Sequence, residues 1–152
     1  MVAPINFSKD NLSQLLEPAL RDLVSGGEYG ARVFIVDDHY QSVEVADVLT
    51  SISLDPWLAP NIYHADVFDC DDFVMYLRTK FAMWARTSGL SSPLALGFIL
   101  TVHHAFNFCV DASYKLNLIN TQSEARSFTN KPAEYAAFLE WRDGNPIQLI
   151  YV

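Results

Sequence analysis

The chain has 152 residues, of which 51% are hydrophobic and 13% aromatic, so it can bury a core without help from disulfide bonds. Its net charge of −8 argues against nucleic acid or an anionic membrane as the partner, because both require clustered basic side chains. We expect one domain over residues 1–152, with an N-terminal helical segment over residues 1–30.

The sequence shows no sign of a membrane span or a secretory leader. No apolar run approaches the roughly 20 residues that a membrane helix needs, and the first residues lack the basic and apolar blocks of a signal peptide. Cys70 and Cys109 are too few for a disulfide framework. These observations predict a reduced, cytoplasmic protein.

The N-terminal third is predicted to contain two helices and a strand. Leucines at a helical spacing indicate an amphipathic helix over residues 9–24, which ends at Gly26–Gly27. Pro18 inside it predicts a kink or a break near Glu17. Residues 31–36 have the composition of a short buried strand. Ser42 is a suitable N-cap for a second, short helix.

The clearest periodicity in the sequence lies over residues 70–87 and predicts a long amphipathic helix. Asp69 is a good N-cap for it, and Gly89 is suited to the position after its end. Cys70 lies on the same face as the apolar side chains. These are Phe73, Val74, Leu77, Phe81, Trp84 and Ala85.

The C-terminal half reads mainly as strands. The predicted elements are strands over residues 94–102, 104–110, 114–120 and 147–152, a hairpin turn at 111–113 and a short helix over 133–141. The sequence therefore predicts an α+β fold in which a central helix packs on an antiparallel sheet.

Three side chains along this plan form a possible thiol site. Cys70 opens the central helix, and both a helix N-terminus and a nearby imidazolium stabilise a thiolate. His104 could supply the imidazole, and Asn120, across the predicted hairpin, could orient it. Each residue also has a plain structural explanation: a small buried hydrophobe, a core histidine and a turn former. The acids that flank Cys70 oppose its ionisation.

The order of these residues resembles the papain-like and transglutaminase-like thiol hydrolase superfamily. The string over residues 67–73 (Val-Phe-Asp-Cys-Asp-Asp-Phe) is similar to a motif of bacterial transglutaminase-like cysteine peptidases. His104-Ala105-Phe106-Asn107 resembles the papain-like C-terminal domain of a fungal agglutinin, with Asn120-Thr121-Gln122 in place of Glu-Pro-Gln. The resemblance covers residues 40–123.

The resemblance implies a papain-like cysteine peptidase or amidase that hydrolyses an amide, peptide or isopeptide bond of a peptide or protein substrate. Cys70, His104 and Asn120 would form the triad, with Cys70 N–H in the oxyanion hole. His103 is the rival base. Secondary candidates at the site are His64, Tyr63, Asn107 and Gln122. Transglutaminase-type acyl transfer and a catalytically inactive interaction module of the same fold remain alternatives.

Two further patterns are weaker. Asp37–Asp38 is similar to the acidic pair of a response-regulator receiver, but residues 81–84 offer no phosphoacceptor aspartate, so a receiver-like signalling domain ranks last. No cofactor is expected. The resemblance to the agglutinin implies calcium dependence, but EF-hand spacing is absent from the sequence. The weak calcium candidates are Asp66, Asp69, Asp71 and Asp72.

Overall fold

The computed structural model describes residues 4–21, 32–59, 68–101, 104–121, 126–127 and 147–152. The helices are α1 (Lys9–Arg21), α2 (Val45–Leu54) and α3 (Cys70–Thr87). The strands are β1 (Asn6–Ser8), β2 (Arg32–Phe34), β3 (His39–Gln41), β4 (Leu96–Thr101), β5 (Ala105–Val110), β6 (Leu116–Asn120), β7 (Arg126–Ser127) and β8 (Ile147–Tyr151).

The main sheet has six strands in the order β2-β8-β4-β5-β6-β7, and β1 pairs with β3 in a separate two-stranded sheet. Neighbouring strands from β8 to β7 are antiparallel, whereas β2 runs parallel to β8. The predicted α+β class with a helix on a sheet is confirmed. The sheet is mixed rather than wholly antiparallel because β2, at one edge, pairs parallel with β8, the last strand of the chain.

Both faces of the main sheet are covered, as the alternation along β5 shows. Phe106 and Phe108 point to a cluster that includes Leu12 and Leu16 of α1. Cys109 points to the opposite cluster, which α2 and α3 build. Every residue of β5 is therefore buried, and α3 contacts β4 and β5 directly.

Helix α3 has the predicted bounds because its ends carry strong local signals. Asp69 is the N-cap, and the Asp72 carboxylate accepts the backbone N–H of Asp69 at 3.2 Å, as in a capping box. At the other end Gly89 adopts a positive φ of 70°, which lets Leu90 N–H reach the carbonyl of Ala85 at 3.0 Å.

The buried face of α3 matches the predicted stripe except at Trp84. The buried members are Phe73, Val74, Leu77, Phe81 and Ala85. Trp84 is 51% exposed, so its inclusion in the core was wrong. The Trp84 side chain lines a cavity between α2 and α3, so α2 does not cover this part of the apolar face of α3.

The N-terminal predictions need three corrections, of which the first concerns Pro18. Helix α1 runs through Pro18 without a break, although a proline cannot donate to the preceding turn. Leu12 and Leu16 of α1 pack in the apolar cluster on the sheet, and this packing compensates for the missing backbone hydrogen bond. Residues 22–24 and the predicted stop at Gly26–Gly27 lie outside the described residues.

The second correction concerns β2, which was predicted to be buried. All three of its residues are exposed, with Val33 at 41% and Phe34 at 48%. The strand lies at the edge of the sheet, where β8 is its neighbour. Apolar composition alone does not distinguish an edge strand from a central one.

The third correction concerns Ser42, which does not cap α2. Glu44 is the N-cap, and the Ser42 hydroxyl instead accepts the backbone N–H of Ile5 at 2.9 Å. A serine hydroxyl serves whichever donor lies near it, and the pairing of β1 with β3 brings Ile5 into reach.

The hairpin between β5 and β6 is confirmed. The Asp111 carboxylate accepts the backbone N–H groups of Ser113 at 2.8 Å and Lys115 at 3.1 Å, and Tyr114 takes the left-handed conformation at φ 59°. The predicted helix over 133–141 lies outside the described residues. Among the described helices, none is both long and apolar enough to span a bilayer.

Candidate functional site

Cys70 is the first residue of α3 and is half-buried where the helix meets the sheet. The backbone N–H of Ala105, at the start of β5, lies near its thiol and lowers the thiol pKa. The side chain also packs against a small apolar cluster of Val74, Phe98 and Ala105. The helix start thus holds the thiol next to the strand that follows His104.

His104 and Asn120 lie together, as the hairpin predicts. His104 Nε2 is 3.4 Å from Asn120 Oδ1, and the imidazole contacts the Phe106 ring edge-on with centroids 4.4 Å apart. The backbone of His104 is fixed by Thr101, whose N–H and hydroxyl each reach the His104 carbonyl at 2.8 Å. Ala105, which directly follows His104, packs with Cys70, whereas the His104 imidazole packs on Phe106, whose ring points to the α1 side of the sheet.

The surroundings of Cys70 oppose its ionisation. Burial raises the pKa of the Cys70 thiol, the hydrogen bond from Ala105 N–H lowers it, and the charges of Asp69 and Asp71 raise it again. The net effect is a pKa above the ordinary thiol value. Burial also raises the pKa of Cys109, which has no exposed surface.

Acidic side chains crowd the same helix start. Ligand atoms of Asp69, Cys70 and Asp71 all lie within 4.8 Å of one another. Asp69 Oδ1 is buried and accepts no hydrogen bond from a donor in the described part of the chain. A hydrogen bond to Asp69, together with burial, raises the pKa of Asp71.

The calcium candidates therefore divide. Asp69 and Asp71 face one another beside the thiol, whereas Asp72 accepts the Asp69 N–H and so serves the helix start. Oxygen atoms of this kind suit Ca²⁺, but a thiol is a poor ligand for it. Calcium binding here remains a prediction. Asp66 lies outside the described residues.

Asn107, a secondary candidate from the sequence, lies in the interior beneath the site. Its Nδ2 group donates to the carbonyls of Val74 at 3.0 Å and Gly97 at 3.1 Å, and the Thr121 hydroxyl donates to its Oδ1 atom. One amide thus joins α3 to β4 and to the end of β6. This network links the helix that begins at Cys70 to β4 and β5 and to the residue that follows Asn120 at the end of β6.

An aromatic group lies beside Cys70, and no pattern in the sequence predicts it. The Arg78 guanidinium lies 4.6 Å above the Tyr151 ring, and that ring stacks on Phe98 with centroids 5.3 Å apart. Tyr151 and Cys70 pack against the same apolar cluster. The pairing of Phe98 with Tyr151 joins β4 to β8, and no local pattern in the sequence predicts it.

The remaining sequence candidates cannot be placed. His64, Tyr63, Gln122 and the rival base His103 all lie outside the described residues. Their predicted roles stay predictions.

No protein-family model and no curated protein matches the chain. Solved structures share its fold, and two of them are PSL1a and Polyporus squamosus lectin. PSL1a, solved as a complex with E64, is 14% identical with a TM-score of 0.70, and the match covers 97% of this chain and 51% of that chain. Polyporus squamosus lectin, bound to the human-type influenza-binding epitope Neu5Aca2-6Galb1-4GlcNAc, is 16% identical with a TM-score of 0.66, covering 97% and 49%.

The chain therefore spans about half the length of the lectins that share its fold. At these identities the similarity establishes the fold alone. The part of the sequence resemblance that pointed to an agglutinin agrees with it. The prediction of a hydrolase, and of a thiol protease in particular, is wrong, because the neighbours are lectins and not peptidases.

Proposed function

We propose that this chain is an interaction module that binds a ligand beside Cys70 and does not cleave it. The observation that carries this proposal is the state of the Cys70 thiol. Burial and two flanking carboxylates keep its pKa above the ordinary value, so at neutral pH it is a thiol and not a thiolate. A neutral thiol is a weak hydrogen-bonding group and a poor nucleophile.

The groups around Cys70 suit the binding of an uncharged polar ligand. The thiol offers a weak donor, and the His104 imidazole and the Asn120 amide, which lie 3.4 Å apart near the start of β5 and the end of β6, offer further donors and acceptors. Donors and acceptors of this kind are complementary to the hydroxyl groups of a sugar. We therefore propose a glycan as the first ligand class, which is also the class of ligand in the Polyporus squamosus lectin complex.

A polypeptide partner is the second candidate, and β2 favours it. This strand forms the edge of the main sheet, and Val33 and Phe34 are 41% and 48% exposed. An exposed edge with apolar side chains can accept an added strand from another chain. The net charge of −8 favours a neutral or basic partner.

The ionisation of Cys70 tests the non-catalytic assignment. Iodoacetamide labelling followed by mass spectrometry between pH 6 and pH 10 is expected to give an apparent pKa for Cys70 above the thiol reference of about 8.5. Asp71→Asn removes a nearby negative charge and is expected to speed labelling about two- to fivefold at pH 8. Asp47→Asn removes the same charge from α2 and serves as the control, with no expected change.

An apparent pKa well below the reference would contradict the assignment, because it would mean a thiolate at neutral pH. Equal effects of Asp71→Asn and Asp47→Asn would show that net charge, and not the local acid, governs Cys70.

Ligand binding is a separate prediction. In titrations followed by amide NMR shifts, Neu5Aca2-6Galb1-4GlcNAc is expected to bind weakly, with Kd of about 0.1–1 mM, and to shift residues near Cys70, His104 and Asn120. Asn120→Ala is expected to weaken binding about fivefold because it removes an amide from the site. E64 and an unrelated trisaccharide are titrated in parallel, each in EDTA and again in Ca²⁺.

The absence of shifts up to about 10 mM sugar would contradict the glycan assignment. Shifts confined to β2 on addition of a polypeptide would favour the second candidate. A requirement for Ca²⁺ would assign Asp69 and Asp71 a role in binding.

A further inference from the structure

A cavity lies between α2 and α3, well away from Cys70. Its volume is about 470 Å³, within the usual range for small-molecule sites. Phe81 and Trp84 of α3 line it, and they lie roughly 16–21 Å along the helix from Cys70 at about 1.5 Å per residue. The cavity is therefore a separate site from the thiol cluster.

The walls of the cavity are mainly apolar. Val43 and Phe81 are buried, whereas Leu54 and Trp84 are 78% and 51% exposed. Large apolar side chains that remain in water around a concave surface indicate a place where a ligand removes them from solvent. The exposed indole of Trp84 also presents an aromatic face, the best surface for a cation among the side chains.

The charges at the cavity are negative. Glu44 and Asp47 line it, and the cation that lines it, Lys80, already pairs with Asp55 at 2.6 Å. Gln41 also lines the cavity, and its side-chain oxygen is buried without a hydrogen-bond donor among the residues that the structure describes. This oxygen has no exposed surface, so the carboxylates of Glu44 and Asp47 are the acceptors that a ligand in the cavity meets.

We infer that this cavity binds an organic cation with an apolar body, in which an ammonium group meets Glu44 and Asp47 while the body packs on Phe81 and Trp84. An ammonium group supplies three donors and a positive charge, which complements these acceptors. An anionic ligand would face two carboxylates, with Lys80 already neutralised by Asp55. A purely polar ligand would leave the aromatic wall unused.

The charge requirement is tested with three compounds of similar shape. We expect 2-phenylethylamine to bind at least about tenfold more tightly than 2-phenylethanol or 3-phenylpropionate at pH 7 and low salt, measured by calorimetry and amide NMR shifts. Methylammonium, which has the charge without the apolar body, is expected to bind more weakly than 2-phenylethylamine by a similar factor.

The site is tested with paired variants. Asp47→Asn and Trp84→Ala are each expected to weaken 2-phenylethylamine binding about three- to tenfold. Asp71→Asn and Trp57→Ala, which change an acid and an exposed tryptophan elsewhere, are expected to leave it unchanged. Glu44→Gln is a further test that keeps an acceptor for Ala112 N–H, which the Glu44 carboxylate binds at 3.3 Å.

Equal affinity for the amine and the alcohol would overturn the inference, as would no saturable binding of the amine. Equal losses in Asp47→Asn and Asp71→Asn would also overturn it, since they would reflect net charge alone. Asp47 and Trp84 are both exposed, so their replacement leaves the core intact. Because the sugar titration reports on Cys70 and the amine titration on Trp84, failure of one proposal is distinguishable from failure of the other.

Discussion

Gly97→Ala is expected to lower the free energy of unfolding by about 3 kcal/mol or more. A Cβ atom at this position of β4 would lie 2.5 Å from the Phe108 ring and closer still to the carbonyl oxygen of Tyr151. Phe108 is fully buried, and Tyr151 belongs to the ladder between β4 and β8, so neither can move away at low cost. Thermal unfolding followed by circular dichroism should show a Tm lower by about 6–12 °C.

Gly89→Ala is the matched control for this prediction. Gly89 has a positive φ of 70°, and a Cβ atom there would meet nothing within 4 Å. Its replacement by alanine should lower the free energy of unfolding by only about 1–2 kcal/mol, which is the cost of holding a non-glycine residue in the left-handed conformation. If Gly97→Ala lowers the free energy of unfolding no more than Gly89→Ala does, the close approach of β8 and Phe108 is not the reason for a glycine at position 97.

The parts of the fold that the sequence predicts best are those with local causes. Helix α3 begins and ends at the predicted residues because Asp69 and Gly89 set its ends and the apolar period fixes its face. The proximity of His104 to Asn120 follows from a single hairpin, whose turn Asp111 determines. These predictions needed no information from distant parts of the chain.

The parts that the sequence predicts poorly depend on distant segments. Whether β2 is buried depends on its position at the sheet edge beside β8, which comes from the far end of the chain. Trp84 follows the apolar period but lies at a cavity, since α2 does not fill the space above it. The cavity itself joins residues 41–54 with residues 80–94, and no motif in either stretch indicates the other.

The functional error has a different cause. A motif predicts the positions of Cys70, His104 and Asn120, but the chemistry of a thiol depends on the free energy of its charged form. Burial, Asp69 and Asp71 all disfavour that form. The sequence indicates that the flanking acids oppose the thiolate. Burial has the largest influence on the pKa of Cys70, and it depends on the packing of α3 on β5, which the sequence does not show. A cysteine, a histidine and an asparagine at positions that resemble a thiol triad are thus compatible with a site that binds a ligand without cleaving it.

Asn107→Leu is expected to have the second largest effect, both on stability and on the thiol. Leucine has a similar size but removes three hydrogen bonds, which leaves the buried hydroxyl of Thr121 and the carbonyls of Val74 and Gly97 without this partner. The expected loss is about 2–4 kcal/mol, measured by urea denaturation. Because Asn107 joins α3 to the sheet, its loss should also loosen the contact of Cys70 with Ala105.

Asn117→Leu separates these two consequences. Asn117 is equally buried, but its amide donates only to Asp111 and Lys115 within the β5–β6 turn. Both variants lose a buried amide, so both should be less stable, yet only Asn107→Leu should speed alkylation of Cys70 in the native state, by about threefold or more. Equal acceleration in the two variants would mean that global opening exposes the thiol. Acceleration in Asn107→Leu alone would identify this amide as the group that positions the helix start against the sheet.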